Sequence, residues 1–233
     1  MCGRTSLFVP RDELEKTFDA TVVADGGYTQ RYNIAPGDGL EVVTNEAPDK
    51  IDRFHWGLIP EWADDPGDGI INARSETASE KSTFAAAWES RPCLVLSSGF
   101  YEWQARNSGP KQPYRIYREE PAAFAMAGLW EHSEGTKRGD GESVHSVTIL
   151  TTEPNHLVEP IHDRMPVVLP SDEKSTWLEA GPDERAELCH PYPEDGLAAY
   201  EISTRVNDPT KDDPRVIEPL DHEQSGLDAF DTD

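Results

Sequence analysis

Several residue types and patterns are scarce in this chain of 233 residues. It has only three cysteines (Cys2, Cys93 and Cys189), too few and too far apart for a disulfide framework or a CxxC-type zinc site. No apolar run approaches the roughly 18–20 residues of a membrane helix, and the amino-terminal stretch lacks the apolar core of about 7–15 residues of a secretory signal. We therefore expect a soluble, cytoplasmic protein with no metal, no cofactor and no membrane partner.

Basic residues are also few. Lys and Arg total 21 against 45 Asp and Glu, which gives a formal net charge of −24. The acids are spread along the chain, and this favours adaptation to a very salty (halophilic) cytoplasm, where a dense acidic surface keeps a protein hydrated. The alternative is a cationic partner. The charge by itself argues against nucleic acid, unless the arginines gather in one groove.

Strand-like runs dominate what is present. Hydrophobic residues make up 36% of the chain, including six Trp, seven Tyr and seven Phe. Apolar, β-branched and aromatic runs bounded by turn residues predict seven strands, at residues 40–44, 93–103, 113–117, 123–131, 146–152, 165–170 and 199–204. Three helices are predicted, at residues 11–18, 75–90 and 171–180.

Because the strands cluster and the helices are interspersed irregularly, we predict an α+β fold, with a mostly antiparallel β sheet or barrel core and flanking helices. One domain is expected over residues 1–217. The polar, Gly-rich residues 134–143 predict an exposed hairpin loop. Residues 218–233 contain six acids and no Lys or Arg, which predicts a disordered tail.

Cys2 is the first candidate for chemistry. Removal of Met1, which is normal before a small residue, would leave a cysteine with a free α-amine of pKa about 8 beside a thiol of pKa about 8.5. Such a 1,2-aminothiol captures an aldehyde, because the amine forms an imine and the thiolate then closes a thiazolidine ring. From position alone, a Cys2 without any role is an equally good interpretation.

Glu102 and His162 are candidates for proton transfer. Glu102 ends an apolar strand run, where burial would raise its pKa, and the alternative is an edge-strand glutamate in water. His162 stands beside Asp163 and Arg164 between two prolines that stiffen the backbone. The alternative for His162 is a purely structural role.

Asn72 and Arg74 precede the helix predicted from residue 75. Helix capping by Asn72 or Ser75 is one explanation. The other assigns Asn72 to the terminal amine or a ligand and Arg74 to a phosphate. Trp56 and Trp62 are expected in the core or in a groove wall, with base stacking by one of them as the alternative.

Nine short motifs follow one another along the chain: MCGR at the start, YNIAP (32–36), WGLIPEW (56–62), NARSET (72–77), FAAAW (84–88), CLVLSSGFYEW (93–103), GLWE (128–131), ILTTEPN (149–155) and PIHDRMPVVL (160–169). In this order and at these spacings they resemble the SRAP (SOS response-associated peptidase) family, from residue 2 to about Asn207. A departure is Thr5, where an aromatic residue commonly follows MCGR.

The resemblance implies an SRAP-like fold and a sensor of abasic sites in single-stranded DNA, active in the DNA damage response. The sensor would form a covalent thiazolidine crosslink through Cys2, after autocatalytic removal of Met1. By motif, Asn72 would position the Cys2 amine and Glu102 would move protons. His162 would assist Schiff-base formation.

The resemblance also implies DNA-binding residues. Arg4, Arg74 and Arg164 would hold phosphates beside the lesion, and Trp103 would pack against bases where the strand kinks. The expected partner is single-stranded DNA with abasic sites, bound by a monomer without metal or cofactor.

Two other functions remain open. Cys2, His162 and Glu102 could form a thiol-peptidase set that acts on the chain itself or on other proteins. The motifs could instead maintain only the fold of a noncatalytic binding module. Incubation with a protein substrate and with an abasic oligonucleotide separates these hypotheses.

Overall fold

The computed structural model describes residues 3–63, 69–133 and 143–221. The strands of these ranges are β1 (Thr5–Leu7), β2 (Thr21–Val22), β3 (Arg31–Ile34), β4 (Gly39–Thr44), β5 (Ala47–Trp56), β6 (Asn72–Arg74), β7 (Pro92–Ser97), β8 (Gly99–Gln104), β9 (Gln112–Tyr117), β10 (Phe124–Ser133), β11 (Val144–Thr152), β12 (Met165–Pro166), β13 (Val168–Leu169) and β14 (Ala198–Glu201). The α-helices are α1 (Arg11–Phe18), α2 (Ser75–Ala78), α3 (Ala85–Ser90), α4 (Lys174–Glu179) and α5 (Pro182–Glu187). Short 3₁₀ turns lie at Glu194–Gly196, Thr204–Asn207 and Pro214–Val216.

Five strands close a barrel in the order β5, β4, β7, β10, β11. Successive neighbours are antiparallel, and a parallel pairing of β11 with β5 closes the ring. Each strand contributes a fully buried apolar side chain to the main core: Leu40, Trp56, Val95, Met126 and Ile149. Burial of one such side chain contributes about 1.5–3 kcal/mol, so the barrel carries much of the hydrophobic stabilisation.

A second, wholly antiparallel sheet has the strand order β14, β9, β8, β1, β3. It is joined to the barrel at Ser98, between β7 and β8. Glycine is required next to this joint, because a Cβ at Gly99 would lie 2.9 Å from the carbonyl oxygen of Ile116. The change of sheet carries Glu102 out of the barrel and into the second sheet.

The predicted fold class is confirmed, since the chain is α+β with a sheet-dominated barrel core. The single strand predicted at residues 93–103 is instead two strands in two sheets, β7 and β8. The helix predicted at residues 75–90 is interrupted between Ala78 and Ala85. The strand predicted at residues 165–170 is split into β12, which pairs with β11, and β13, which pairs with β10.

Several elements escaped the sequence prediction. Strands β2, β3 and β6 have two to four residues each, too few to show a period. Strand β5 has ten residues, but most of its first half is exposed, and its buried residues Ile51, Phe54 and Trp56 do not keep a period of two. Helix α5 was not predicted either.

Three predictions touch the limits of the described ranges. Strands β10 and β11 pair as a hairpin up to Ser133 and Val144, whereas residues 134–142 of the predicted loop lie outside the described residues. The backbone N–H of Leu220 donates to Glu201 at 2.9 Å, so ordered contacts continue past residue 217. Residues 222–233 of the predicted tail lie outside the described residues. In the described part of the chain, no helix has the length and apolar character to span a bilayer.

Candidate functional site

Glu102 is a carboxyl group buried in the second sheet. It lies on β8 with 1% of its surface exposed, next to the fully buried Tyr101. Burial raises its pKa to about 7, the charge of Asp163 acts in the same direction, and Lys111 opposes it. A carboxyl group with this pKa is present in both protonation states at neutral pH, which suits it to donate and to accept a proton.

His162 faces Glu102 from the loop of residues 153–164, which connects β11 to β12 and is called the His162 loop below. Its Nε2 lies 3.8 Å from Oε2 of Glu102, longer than a direct hydrogen bond. Its Nδ1 accepts the backbone N–H of Arg164 at 3.0 Å. Oδ1 of Asp163 lies 3.0 Å from the same nitrogen, so the two contacts of Nδ1 favour opposite tautomers of the neutral ring.

The protonation state of His162 follows from its surroundings. Burial lowers the pKa of His162, although Asp163, whose Oδ1 lies 3.0 Å from Nδ1, raises it in part. The imidazole is then mainly neutral at pH 7. Glu102 and His162 thus form a pair of facing titratable groups, called the Glu102–His162 pair below, in which Glu102 is present in both protonation states at neutral pH and His162 is mainly neutral.

Asn72 and Arg74 lie on β6, which runs parallel to β11 with Asn72 opposite Ile149 and Arg74 opposite Thr151. Helix α2 follows directly but has no side-chain cap, and the Ser75 hydroxyl donates to the Thr151 carbonyl instead. The capping explanation is therefore wrong. Arg74 is exposed, and no hydrogen bond or ion pair engages its guanidinium among the described residues.

Arg164 is held by a carboxylate. Its two terminal nitrogens donate to the two Glu76 oxygens at 2.6 and 2.8 Å, and one of them also donates to the Thr151 carbonyl at 2.6 Å. This bidentate pair fixes the end of the His162 loop against α2 and β11. A phosphate at this arginine would have to share the guanidinium with Glu76.

Arg4 and Trp103 both bind the 3₁₀ turn Thr204–Asn207. Arg4 donates to the Asn33 side chain at 2.8 Å and to the Val206 carbonyl at 2.7 Å. The Trp103 indole N–H donates to the Asn207 side chain at 2.7 Å. Among the predicted DNA-binding arginines, Arg74 has the guanidinium that is most accessible to a ligand, as far as the described residues show.

Cys2 lies outside the described residues. The strand that follows it, β1, lies beside the strand that carries Glu102. It pairs antiparallel with β8, and the backbone N–H of Tyr101 donates to the Arg4 carbonyl at 3.0 Å. The described amino-terminal end of the chain therefore runs along β8 beside Glu102. Strand pairing thus brings the first described residues, up to Arg4, beside the strand that carries Glu102.

Sequence analysis missed two charged residues of this region. Glu76 pairs with Arg164, a contact that its place in NARSET, two residues after Arg74, suggested only weakly. Lys111 acts electrostatically on both Glu102 and His162, and the hairpin between β8 and β9 that carries it had no motif.

Trp56 is a core residue as expected, whereas Trp62 is 66% exposed. No metal-binding group of His, Cys, Asp and Glu side chains occurs within the described ranges.

Comparison with known proteins gives consistent matches. The family model described as SOS response associated peptidase (SRAP) matches residues 1–209. The abasic site processing protein YoqW of Bacillus subtilis (strain 168) is 37% identical over 225 residues, which cover 94% of this chain and 99% of that protein. The abasic site processing protein HMCES of Xenopus tropicalis is 31% identical over 268 residues, covering 93% of this chain and 78% of that protein.

Two crystal structures share the fold. A protein from Bacteroides thetaiotaomicron superposes with a TM-score of 0.83 at 25% identity, covering 94% of this chain and 100% of that chain. A protein from Bordetella bronchiseptica superposes with a TM-score of 0.75 at 26% identity, covering 87% of this chain and 100% of that chain. The barrel and the second sheet therefore belong to an architecture that also occurs in these two bacterial proteins.

Proposed function

Because this chain belongs to the SOS response associated peptidase (SRAP) family, we propose that it processes abasic sites in DNA, and that it does so by capturing the sugar aldehyde with a terminal Cys2. The names of its relatives support the first part. The observation that carries the second part is Glu102, a buried carboxyl group with a pKa of about 7, beside His162 and beside the strand that continues from Cys2.

Chain connectivity supports a role for Cys2 at this site. Two peptide units separate Cys2 from Arg4, whose carbonyl is fixed to Tyr101. An extended chain spans about 3.3–3.6 Å per residue, so the Cα atom of Cys2 lies within about 7 Å of the Cα atom of Arg4. The length of the chain therefore allows the α-amine and thiol that follow removal of Met1 to reach Glu102.

The proposed reaction begins with the closed abasic sugar, which has no free aldehyde. Protonated Glu102 donates its proton to the ring oxygen as the ring C–O bond breaks, and the anomeric hydroxyl group loses its proton to water as the aldehyde forms. The Cys2 amine attacks the carbonyl carbon, and loss of water gives an imine. The thiolate then adds to the same carbon and the nitrogen takes up a proton, which closes the thiazolidine ring. Neutral His162, in the tautomer with its proton on Nε2, donates a hydrogen bond to the sugar oxygen during these steps.

DNA binding is proposed to rely first on Arg74, whose exposed guanidinium is available for a phosphate. The side chains of Arg164, Arg4 and Trp103 lie in the same region and are already hydrogen-bonded to other residues of this chain. Their proposed role is to shape the binding surface and to offer further hydrogen-bond donors to the DNA strand. Single-stranded DNA is the favoured substrate, because an unpaired lesion reaches a recessed carboxyl group without the cost of opening a duplex.

A denaturing gel of the protein with a single-stranded abasic oligonucleotide tests the proposal. The wild-type protein should give a heat-stable adduct, and Cys2→Ala should bind the oligonucleotide but form none. The matched control is Cys189→Ala, since burial raises the pKa of that thiol to about 12 and leaves little thiolate. A heat-stable adduct from Cys2→Ala contradicts the mechanism.

Removal of Met1 is a separate part of the proposal. The intact mass of the purified chain should correspond to a polypeptide that begins at Cys2. A retained Met1 contradicts the thiazolidine chemistry, because the amine and the thiol then no longer belong to one residue. Turnover of a generic protein substrate would instead favour a peptidase that acts in trans.

A further inference from the structure

Gln104 lies on β8 two residues beyond Glu102, and the period of two places both side chains on the same face of the strand. Its Nε2 donates to the carbonyl oxygen of Pro160, in the His162 loop, at 2.9 Å. Its Oε1 lies 3.3 Å from the Tyr114 hydroxyl, a longer contact than the 2.8 Å hydrogen bond that this hydroxyl donates to Glu201. Because a carbonyl oxygen accepts only, the contact with Pro160 fixes which end of the amide faces the loop.

Tyr114, the neighbour of Gln104 on the sheet side, is itself hydrogen-bonded within the second sheet. Tyr114 is directly opposite Glu102 on β9, and its hydroxyl is also 2.8 Å from Oε1 of Glu201 on β14. The Gln104 side chain is therefore held from the sheet side by a neighbour that is itself held. The hydrogen bond to the Pro160 carbonyl thus links the His162 loop to β8.

Pro160 is coupled to His162 by a tight turn. The N–H groups of Ile161 and His162 both donate to the Val158 carbonyl, at 2.8 and 2.9 Å. Ile161 is 8% exposed and packs into the protein between the two residues. A displacement of the Pro160 carbonyl away from β8 is thus transmitted to the imidazole of His162.

We infer that Gln104 is a positioning residue of the site, which holds the His162 loop against β8 and thereby sets the separation of His162 and Glu102. Gln104 contacts neither of the two groups that would handle the sugar, and it acts through the backbone of Pro160. For its effect on crosslinking, this inference rests on the proposed function. Its effect on the separation within the Glu102–His162 pair does not depend on the proposed function.

The chemistry of an amide suits this position. The side chain must donate to the Pro160 carbonyl oxygen, and an uncharged amide nitrogen does so. In Gln104→Glu the carboxylate keeps the shape and the acceptor but turns an oxygen toward the Pro160 carbonyl, which repels it. In Gln104→Ala both contacts are lost. The two variants therefore remove the donor with and without a change of charge.

The first test needs no DNA. The imidazole resonances of His162 are followed by NMR from pH 4 to pH 9 in the wild type, in Gln104→Ala and in the control Ser108→Ala, an exposed residue of the same hairpin. Glu102, Asp163 and Lys111 are the charged groups that act on this ring. If Gln104 positions the His162 loop, Gln104→Ala changes the distance between His162 and Glu102 and moves the titration midpoint of His162. Ser108→Ala leaves that midpoint unchanged. Identical midpoints in all three proteins overturn the inference.

The second test measures crosslinking. We expect Gln104→Ala and Gln104→Glu to slow adduct formation about fivefold to tenfold, the effect of one lost hydrogen bond, and to displace its pH profile. Binding of an intact single strand should stay within about twofold of the wild type. Equal crosslinking rates and pH profiles, or a loss of binding as large as the loss of rate, overturn the inference. A wild-type protein that binds but forms no adduct contradicts the proposed function instead, and the NMR test then decides the positioning role alone. Thermal unfolding of each variant shows that the fold is intact.

Discussion

Replacement of Glu102 by glutamine should make the fold more stable at alkaline pH, although it removes the proposed proton donor. The pKa of Glu102 is raised from 4.5 to about 7, so between these values the folded state binds a proton that the unfolded state has released. Stability therefore falls as pH rises through this window. A displacement of this size corresponds to about 3 kcal/mol at most, all of it lost above pH 8. The glutamine side chain of the variant has no charge to desolvate at any pH, so the variant does not suffer this loss.

The measurement is the free energy of unfolding in urea for the wild type and Glu102→Gln at intervals from pH 4.5 to pH 8.5. The difference between the two proteins should grow with pH and level off above pH 8, with a change of about 3 kcal/mol in favour of the variant. Glu119→Gln, at an exposed position, serves as the control and should show a difference that is small at every pH. Parallel curves for the wild type and Glu102→Gln would refute the assignment of a raised pKa. On abasic DNA, Glu102→Gln should slow both formation and release of the adduct.

Further predictions concern the charges around the site. Arg74→Gln should weaken binding to single-stranded DNA and lower the slope of log K against log salt by about 0.7, as for the loss of one phosphate contact. An unchanged slope in fluorescence anisotropy would place the phosphates elsewhere. Glu76→Gln should release Arg164 and raise DNA affinity, at a cost below about 1 kcal/mol in thermal unfolding, since Glu76 is half exposed. Weaker binding by this variant would contradict the competition between Glu76 and phosphate. Asn207→Ala should loosen the Trp103 indole and alter Trp fluorescence without loss of the fold; an unchanged spectrum would argue against that contact.

Much of the fold could be predicted because its strongest elements have local signals. Helix α1 occupies the predicted residues 11–18, and strands β4, β9, β10 and β11 lie within one or two residues of their predictions. Helix α1 buries Leu14 and Phe18, one helical turn apart, and strands β4, β10 and β11 are almost continuous runs of buried residues, so a short window is enough to detect them. The errors occurred where one apolar run serves two sheets, as at Ser98, and where strands are too short to show a period, as in β6.

For the candidate site, residue types and motifs were enough to single out Asn72, Glu102 and His162. The expectation that burial raises the pKa of Glu102 agrees with its surroundings, since the side chain is 1% exposed. The partners were not predictable, because they come from distant parts of the chain. Glu76 meets Arg164 across 88 residues, and Gln104 meets Pro160 across 56.

The sequence by itself determined which groups are present and how each short segment folds: the amine and thiol that Cys2 would offer, the carboxyl group at the end of an apolar strand, and the imidazole in a stiff loop. These depend on side-chain chemistry and on backbone preferences over a few residues. Only the tertiary structure decided that β1 runs beside Glu102, that His162 faces it at 3.8 Å, and that two of the three site arginines already have protein partners. Such distances depend on how the barrel closes and how the second sheet packs, and many distant contacts set them together.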